Sequence, residues 1–199
     1  MGISRYTAPM RMIATGAAIA LSLLIGCGAS APQARSADPS LASYTGHLAE
    51  LFDDRIDPGA LGSQLGVLDD NAGATARGDN LLRERTQVSD AVAHARVTTV
   101  TSQAEERGRS WQIGFSSVER LAGARPLDAE FVLHVAANGP AAGILLASEG
   151  GLIGKTVIAF VHAFRSPSGE DTELHFHIAR DGKAELDAVR ASVLLDQIR

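Results

Sequence analysis

The sequence has little cysteine, few aromatic residues and no excess of basic charge, and each shortage excludes a class of protein. Cys27 is the only cysteine, so no intramolecular disulfide can form. Aromatic residues make up 5% of the chain, so valine, leucine, isoleucine and alanine must supply most of a core. Basic residues number 18 against 23 acidic ones. That balance argues against a nucleic-acid partner, because binding a phosphate backbone requires clustered lysine and arginine.

A long apolar run lies near the N-terminus. It extends from Met12 to Ile25, with Arg5 and Arg11 upstream. A basic start followed by an apolar stretch of this length is typical of a secretory signal peptide. A transmembrane helix needs about 20 apolar residues, and this run is shorter. We therefore predict a cleaved signal peptide over residues 1–26.

The sequence Leu24-Ile25-Gly26-Cys27 ends this run, and Gly28 follows the cysteine. The pattern resembles the lipobox of bacterial lipoproteins. The resemblance implies cleavage before Cys27, a diacylglycerol on its sulfur and a third acyl chain on its amine. A cleaved signal peptide without lipidation is the alternative, and it would leave Cys27 without a role.

A lipid anchor would determine where the protein resides. Each buried CH₂ contributes about 0.8 kcal/mol, so two or more acyl chains hold a protein stably at a membrane. By resemblance to lipoprotein sorting, Gly28 in place of an aspartate favours the outer membrane. The expected location is the bacterial cell envelope, on the outer membrane facing the periplasm. Cleavage would remove Arg5 and Arg11 and no acid, which takes the net charge from −5 to −7.

Three segments follow the signal peptide. Residues 27–37 contain the lipidated cysteine and a small, polar tether that cannot bury enough apolar surface to order itself. Residues 38–89 form a helical N-terminal segment, and residues 90–199 form a β-rich domain with a C-terminal helix. The full chain is 45% hydrophobic, and the part beyond the tether is long enough for one domain with its own core.

The N-terminal segment predicts two helices. Asp38 suits the N-cap and Pro39 the first turn of a helix that ends at Asp57-Pro58-Gly59. Its apolar residues recur at helical spacing, at Leu41, Tyr44, Leu48, Leu51 and Phe52. A shorter helix is expected from Asp79 to about Ser89.

The pattern changes from helical to alternating at Ala91. Five strands are predicted by alternation or by an apolar run, and they centre on Ala93–Thr99, Trp111–Phe115, Phe131–Val135, Thr156–Phe164 and Leu174–Ile178. On the fifth, Phe176 is expected inward and His175 and His177 outward. Short helices are expected at Ala141–Ser148 and at the C-terminus.

We therefore predict an α+β fold, a small five-stranded antiparallel OB-like barrel or sheet with N-terminal and C-terminal helices. Five strands with a helix between the third and fourth is the order of an OB-type barrel. The runs SDAVAHARVTTV, VERLAG and LIGKTVIAFV also resemble secreted OB-like barrels of the netrin-like or tissue-inhibitor kind. The resemblance implies the barrel topology and says nothing firm about function. Those families are usually cross-linked by disulfides, which this chain cannot form.

Histidines on the predicted strands are candidate metal ligands. His175 and His177 alternate onto one strand face, about 7 Å apart by strand rise, and His134 and His162 lie on other predicted strands. Three of these imidazoles could converge on zinc or copper. The alternative is that they decorate a sheet face or lie under a helix with satisfied hydrogen bonds.

No nucleotide or catalytic motif is present. Gly154-Lys155-Thr156 ends like a P-loop, but Glu149 stands where that motif requires glycine, and the segment opens a strand rather than a helix. No nucleophile elbow occurs, and Cys27 is consumed by the anchor. We therefore expect no nucleotide partner, no resident cofactor other than the covalent lipid, and no recognisable active site.

The favoured function is a non-enzymatic, membrane-tethered binding or scaffold module for an unknown envelope protein or ligand. A histidine-face protein that binds zinc or copper is the first alternative, and an envelope enzyme with an unrecognised site is the second. In an OB-type barrel the partner would contact the turn that carries Glu105, Glu106 and Arg107. The apolar segment 139–154 is the rival contact surface.

Overall fold

A computed structural model describes residues 40–60, 80–106, 108–169 and 171–197. The elements in chain order are α1 (Gly46–Leu51), β1 (Arg55–Ile56), α2 (Asn80–Val88), β2 (Ala91–Glu105), β3 (Gly108–Ala122), β4 (Glu130–Val135), α3 (Ala142–Ser148), β5 (Thr156–Arg165), β6 (Thr172–Arg180) and α4 (Lys183–Gln197). The predicted signal peptide, the lipobox with Cys27, the tether, the cap at Asp38 and Arg107 all lie outside the described residues.

The strands form one six-stranded sheet in the order β1-β6-β5-β2-β3-β4. The α+β class is confirmed, and the predicted antiparallel sheet is roughly matched by six strands rather than five, but the OB-like barrel is wrong. The sheet is mixed, because β1 runs parallel to β6 while the other pairs are antiparallel. It is also open, since in the described part of the chain no pairing joins β1 to β4. Alternation predicts where strands lie but not which strands pair, and this is why the topology was missed.

Strands β2 and β3 form one long hairpin. The residues expected to form a charged turn are mostly strand, with Gln103 opposite Ser110 and Glu105 opposite Gly108. Gly108 has a φ of 141°, a conformation that glycine adopts readily. The ladder therefore continues almost to the tip, and the exposed Glu105 and Glu106 lie at that tip rather than in a broad loop.

The sheet is strongly curved. Irregularities in the β2–β3 register occur at Val92/Ala93, His94/Ala95 and Val97/Thr99. Bulges of this kind bend a strand and increase its twist. Three strands separate β4 from β6 in the sheet, yet Cα atoms of the two lie within 8 Å of each other. The curl thus gives the sheet an inner and an outer face.

Both faces are covered. The inner face carries Ile113, Leu133 and Phe176 and packs against Leu145 of α3 and Leu152. The buried side chains of the outer core come from β2, β5, β6, three helices and the residue directly after α1. They are Val92, Ile158, Phe160, Phe164, Ala179, Leu51, Leu82, Val189 and Phe52. The apolar character of both faces of β5 is therefore explained by burial on both sides.

The outward assignment on β6 is wrong in one respect. His175 and His177 do lie on the face opposite Phe176, but the chain around α1 covers that face. Only 5% of His177 is exposed. A period-2 pattern separates the two faces of a strand and does not reveal whether the polar one is covered.

The first helix is much shorter than predicted. Ser43 forms a bridge with Arg165 at the end of β5, and the Arg165 guanidinium donates to the Leu41 carbonyl oxygen at 3.1 Å. These contacts hold the chain before α1 in an irregular conformation, and Gly46 has a φ of 62°. The predicted helices near Asn80–Val88, Ala142–Ser148 and the C-terminus are confirmed. Within the described ranges, none of the helices is long and apolar enough to cross a membrane.

Candidate functional site

Four histidines on the outer face each lie close to a carboxylate. His162 on β5 lies directly opposite His175 on β6, and His177 lies two residues further along β6. The nitrogen–oxygen distances are 3.1 Å for His94–Asp181, 3.4 Å for His162–Asp90, 2.8 Å for His175–Asp54 and 2.9 Å for His177–Asp53. Each imidazole therefore has an acidic partner of its own.

Two of these carboxylates come from the residues directly after α1. Leu51 and Phe52 are fully buried in the outer core, which fixes the chain where Asp53 and Asp54 begin. Asp54 has a φ of 52°, unusual for a residue other than glycine. Its backbone N–H donates to the Phe176 carbonyl oxygen at 2.9 Å, and its Oδ1 accepts from the Phe176 N–H at 3.1 Å. This short segment is thereby paired to β6.

The carboxylates around His177 favour its charged form. Burial lowers the pKa of His177, but its hydrogen bonds with Asp53 and Asp57 outweigh that effect and raise the pKa overall. Burial acts to raise the pKa of Asp53, and the hydrogen bond with His177 lowers it overall. Nδ1 faces Asp53 at 2.9 Å and Nε2 faces Asp57 at 3.4 Å. Both ring nitrogens are therefore occupied by carboxylates.

The burial of His162 favours its neutral form. Burial lowers its pKa, and the opposing effects of Asp90 and of a backbone hydrogen bond with Val88 are smaller. The ring stacks on Phe52 with centroids 5.0 Å apart and meets the edge of Phe164 at 4.7 Å. These contacts make His162 part of the outer core.

His175 has one buried nitrogen without a hydrogen bond, as His94 and His162 do. Its ring stacks on Tyr44 with centroids 3.5 Å apart and planes 5° from parallel. Burial, Asp54 and Asp53 raise the pKa of Tyr44 to about 12, and its hydroxyl donates to the Phe52 carbonyl oxygen at 2.9 Å. Nδ1 of His175 is engaged by Asp54, while Nε2 is buried, unbonded and 3.6 Å from the Glu173 carboxylate.

His175 borders a cleft of about 470 Å³. The cleft lies where β4 ends and β6 begins, against the outer half of the β2–β3 hairpin. Trp111 lines it as well, is only 4% exposed, and has a buried indole nitrogen without a hydrogen-bond partner. The uncharged polar lining consists of Thr101, Ser102, Gln103, Ser110 and Gln112. Among the described residues, no lysine or arginine lines the cleft.

The predicted metal ligands are only partly brought together. His162, His175 and His177 are neighbours on the outer face, whereas His134 is exposed on the edge strand β4 and shares only the cleft wall with His175. In the described ranges, no three His, Cys, Asp or Glu side chains are grouped to hold a metal ion. Zinc or copper binding stays a prediction.

Several residues at this site could not be predicted from the sequence. Asp53, Asp54 and His94 were missed, because their partners lie far away along the chain. The one local signal is the pair of aspartates directly after the buried Leu51 and Phe52. A pair of adjacent carboxylates after an apolar stripe does not indicate which strand it will contact.

The two predicted contact surfaces, the hairpin tip and the apolar segment 139–154, differ in how exposed they are. Glu105 and Glu106 are exposed at the hairpin tip, just beyond Gln103 in the cleft wall. In the rival apolar segment, Leu145 and Leu152 are buried in the inner core, so most of that segment is structural. Leu146 and Ile153 are exposed at 67% and 52%.

Two further cavities are present. One of about 510 Å³ lies between α2, α4 and the end of β3, and one of about 300 Å³ lies near Lys155 and Arg180. Of these three cavities, only the 470 Å³ cleft is lined by residues with buried polar atoms that have no hydrogen bond. Comparison with known protein families and with curated proteins finds no match to this chain.

Proposed function

We propose that the protein is a lipid-anchored, non-enzymatic binding module of the bacterial cell envelope, and that its ligand occupies the 470 Å³ cleft. The lipobox at Leu24–Cys27 supports the anchor. The observation that carries the binding role is the buried indole nitrogen of Trp111, which lines the cleft and has no hydrogen-bond partner among the described residues.

The buried indole nitrogen of Trp111 lowers the stability of the protein without ligand. A buried polar group without a partner costs about 1–3 kcal/mol, so folded proteins keep few of them. A ligand that supplies an acceptor to Trp111 recovers that free energy on binding. The cleft volume also falls within the roughly 300–1,000 Å³ typical of small-molecule sites.

The length of the tether sets the largest distance between the membrane and the cleft. Residues 28–37, fully extended, would span at most roughly 35 Å. With Cys27 in the outer membrane, the domain would sample ligands in the periplasm close to that membrane. The anchor is tested by Cys27→Ala, which is expected to release the protein or leave an uncleaved precursor. Mature, cleaved protein that still fractionates with membranes would contradict anchoring through Cys27.

Site-specific photo-crosslinking tests the cleft. A benzophenone amino acid replaces Gln112, which lines the cleft, in the full-length protein within its native envelope. The matched control places the same group at Val118, which is 58% exposed on the same strand but outside the cleft. We expect a discrete adduct from position 112 and none from position 118. Equal labelling at both positions, or none at either, would contradict the cleft as the binding site.

One observation favours the enzyme as a second candidate. Asp54 orients His175 beside the cleft and leaves Nε2 unbonded, which is the arrangement that a general base requires. Turnover of envelope polymers or esters that is lost in His175→Gln and retained in His94→Gln would establish this role. Absence of turnover in the wild type would leave the binding module as the function.

A further inference from the structure

Strand β2 continues well beyond the part of the sheet that covers it. On its β5 side the last contact is at Val97, whose backbone N–H and C=O bond to Lys155 and Gly154. From Thr98 to Glu105 every residue is exposed except Val100, which is half-buried. No strand among the described residues pairs with this side of Thr98–Glu105, which we call the open edge of β2.

Three residues of the open edge present backbone groups without a neighbouring strand. Glu105 lies opposite Gly108 across a two-residue turn. The pair that flanks such a turn is hydrogen-bonded, and hydrogen-bonded residues then alternate along the strand. Counting back from Glu105, we find that Val100, Ser102 and Ala104 direct their N–H and C=O away from β3. These groups are therefore open to water or to another strand.

The open edge lacks the features that usually keep edge strands from pairing with other chains. Those features include lysine, proline and bulges. Thr98–Glu105 contains no lysine or proline, and its register with β3 is regular from Thr99 onward. Its first four residues, Thr98 to Thr101, are β-branched, which favours an extended strand. The edge is therefore suited to the addition of one more strand.

The distribution of charge along β2 favours a second copy of the chain as that strand. Glu105 and Glu106 are exposed at the tip of the hairpin, whereas Arg96 and Lys155 lie at its base. Within the described residues, none of these four side chains forms an ion pair. Arg109 is also near the tip, but it lies on β3, away from the open edge. Antiparallel pairing of two open edges brings the acidic tip of each copy to the basic base of the other.

We propose that the open edge of β2 binds the open edge of a second copy of this chain, antiparallel and about a two-fold axis at Ser102. In this register Val100 of each copy lies opposite Ala104 of the other, and the two Ser102 residues face each other. All three residues with open backbone groups are then paired in both copies. The inference goes beyond the proposed function, because it does not depend on what the cleft binds.

The pairing of one strand from each copy makes a small interface. Stable protein–protein interfaces are usually larger, so we expect the two copies to associate weakly when they are free in solution. The proposed lipid anchor would hold both copies on one membrane and raise their local concentration. The association is therefore best measured in the envelope.

Cysteine trapping tests the two-fold axis in the full-length protein within its native envelope. Ser102→Cys places a thiol on the axis, where opposite Cβ atoms lie about 4.5–5.5 Å apart and a disulfide can form. Thr98→Cys is the matched control on the same edge, because its two copies would lie as far apart as Thr98 and Glu106, about 26 Å. We expect a disulfide-linked dimer from Ser102→Cys and at least about tenfold less from Thr98→Cys. Wild type controls for Cys27 and should give no such dimer.

Charge reversal tests the contact between tip and base. In the Ser102→Cys background, Glu105→Lys with Glu106→Lys should slow disulfide formation about tenfold, because each tip then meets like charge. Adding Arg96→Glu and Lys155→Glu reverses the charge of the base as well and should restore the rate. All of these positions are exposed or half-buried, so the substitutions do not disturb the core.

Equal trapping at positions 98 and 102 would indicate parallel or random contacts and would overturn the proposal. Absence of a disulfide-linked dimer from Ser102→Cys in the native envelope would overturn it as well. A Ser102→Cys dimer that forms at the same rate after charge reversal would contradict the contact between tip and base. The cleft is tested separately, by the crosslinking comparison at positions 112 and 118.

Discussion

The Asp54 carboxylate holds His175 from 121 positions away in the chain. One oxygen lies 2.8 Å from the imidazole Nδ1, and the other accepts the backbone N–H of Phe176 at 3.1 Å. This double contact attaches the segment after α1 to β6 and sets the orientation of the His175 ring. The cleft wall is therefore assembled by a long-range contact.

His177 should make the domain more stable below neutral pH than above it. Its pKa is raised by Asp53 and Asp57, against burial and the Arg85 charge, so the folded state binds its proton more tightly than the unfolded state. Its contribution is fully present below the unfolded pKa of about 6.5 and is lost as the pH rises through the folded pKa. Urea unfolding of wild type and His177→Gln at about pH 5.5 and 8.5 should show the larger difference at the lower pH.

His162 should behave in the opposite way. Its pKa is lowered by burial, with Asp90 and Arg125 nearby, so its contribution is present above about 6.5 and is lost as the pH falls through the folded pKa. The free-energy difference between wild type and His162→Gln should therefore be larger at about pH 8.5 than at 5.5. The same pH trend for both histidine variants would show that the assigned protonation states are wrong.

The bulges in β2 explain why the prediction of its buried face was only partly correct. Alternation placed Ala95, Val97 and Thr99 together, and Ala95 and Val97 are indeed buried. The irregularity between Val97 and Thr99 then shifts the register, so Val100 packs on the inner core and Thr99 is exposed. A bulge adds one residue without any change of composition, and period-2 patterns cannot locate it.

The type of an element could be predicted where its sequence has a hydrophobic period. The strands and residues that it contacts could not be predicted. Helix α2 and strand β5 show their own hydrophobic patterns, and both lie close to where those patterns place them. Strand β1 has two residues, Arg55 and Ile56, and therefore has no period. Its pairing with β6, like the contact of Asp54 with His175, depends on the folded path of the chain.

Arg85 should be a stabilising residue despite its position on a helix rich in polar residues. It is 8% exposed, and its Nε donates to the Leu51 carbonyl oxygen at 2.7 Å, which joins α2 to the end of α1. Arg85→Met keeps much of the apolar stem and should cost about 1–3 kcal/mol by leaving that carbonyl unpaired. Arg83→Met, on the exposed side of the same helix, should stay within about 0.5 kcal/mol. Equal losses in urea unfolding would contradict the assigned contact.

Gly123 should tolerate no side chain. Its φ is 107°, and an added Cβ would lie 2.2 Å from the Asp90 carbonyl oxygen and 2.6 Å from the Ala91 Cα. Gly123→Ala should therefore cost more than about 3 kcal/mol in thermal or urea unfolding. Gly143→Ala is the control, because its Cβ would meet nothing within 4 Å on helix α3, and it should stabilise by about 0.5–1 kcal/mol. Similar effects of the two substitutions would contradict the backbone path at Gly123.

Metal analysis tests the first alternative function. We expect dialysed wild-type protein to hold no stoichiometric zinc or copper, because both nitrogens of His177 face carboxylates and Nδ1 of His175 faces Asp54. A near-equimolar metal that is lost in both His175→Ala and His177→Ala would establish the metal-binding alternative instead. The metal content of His47→Ala, an exposed histidine on α1, would serve as the control.

The indole N–H resonance of Trp111 gives the most direct test of the cleft as the binding site. It is the only indole signal that the chain can produce, and it belongs to the unpartnered donor. Titrating the ¹⁵N-labelled full-length protein with a ligand that binds should move this resonance downfield, as the indole gains an acceptor. The amide resonance of Val118, outside the cleft, should stay in place. A ligand that binds saturably and leaves the indole resonance unmoved would show that binding takes place elsewhere on the protein.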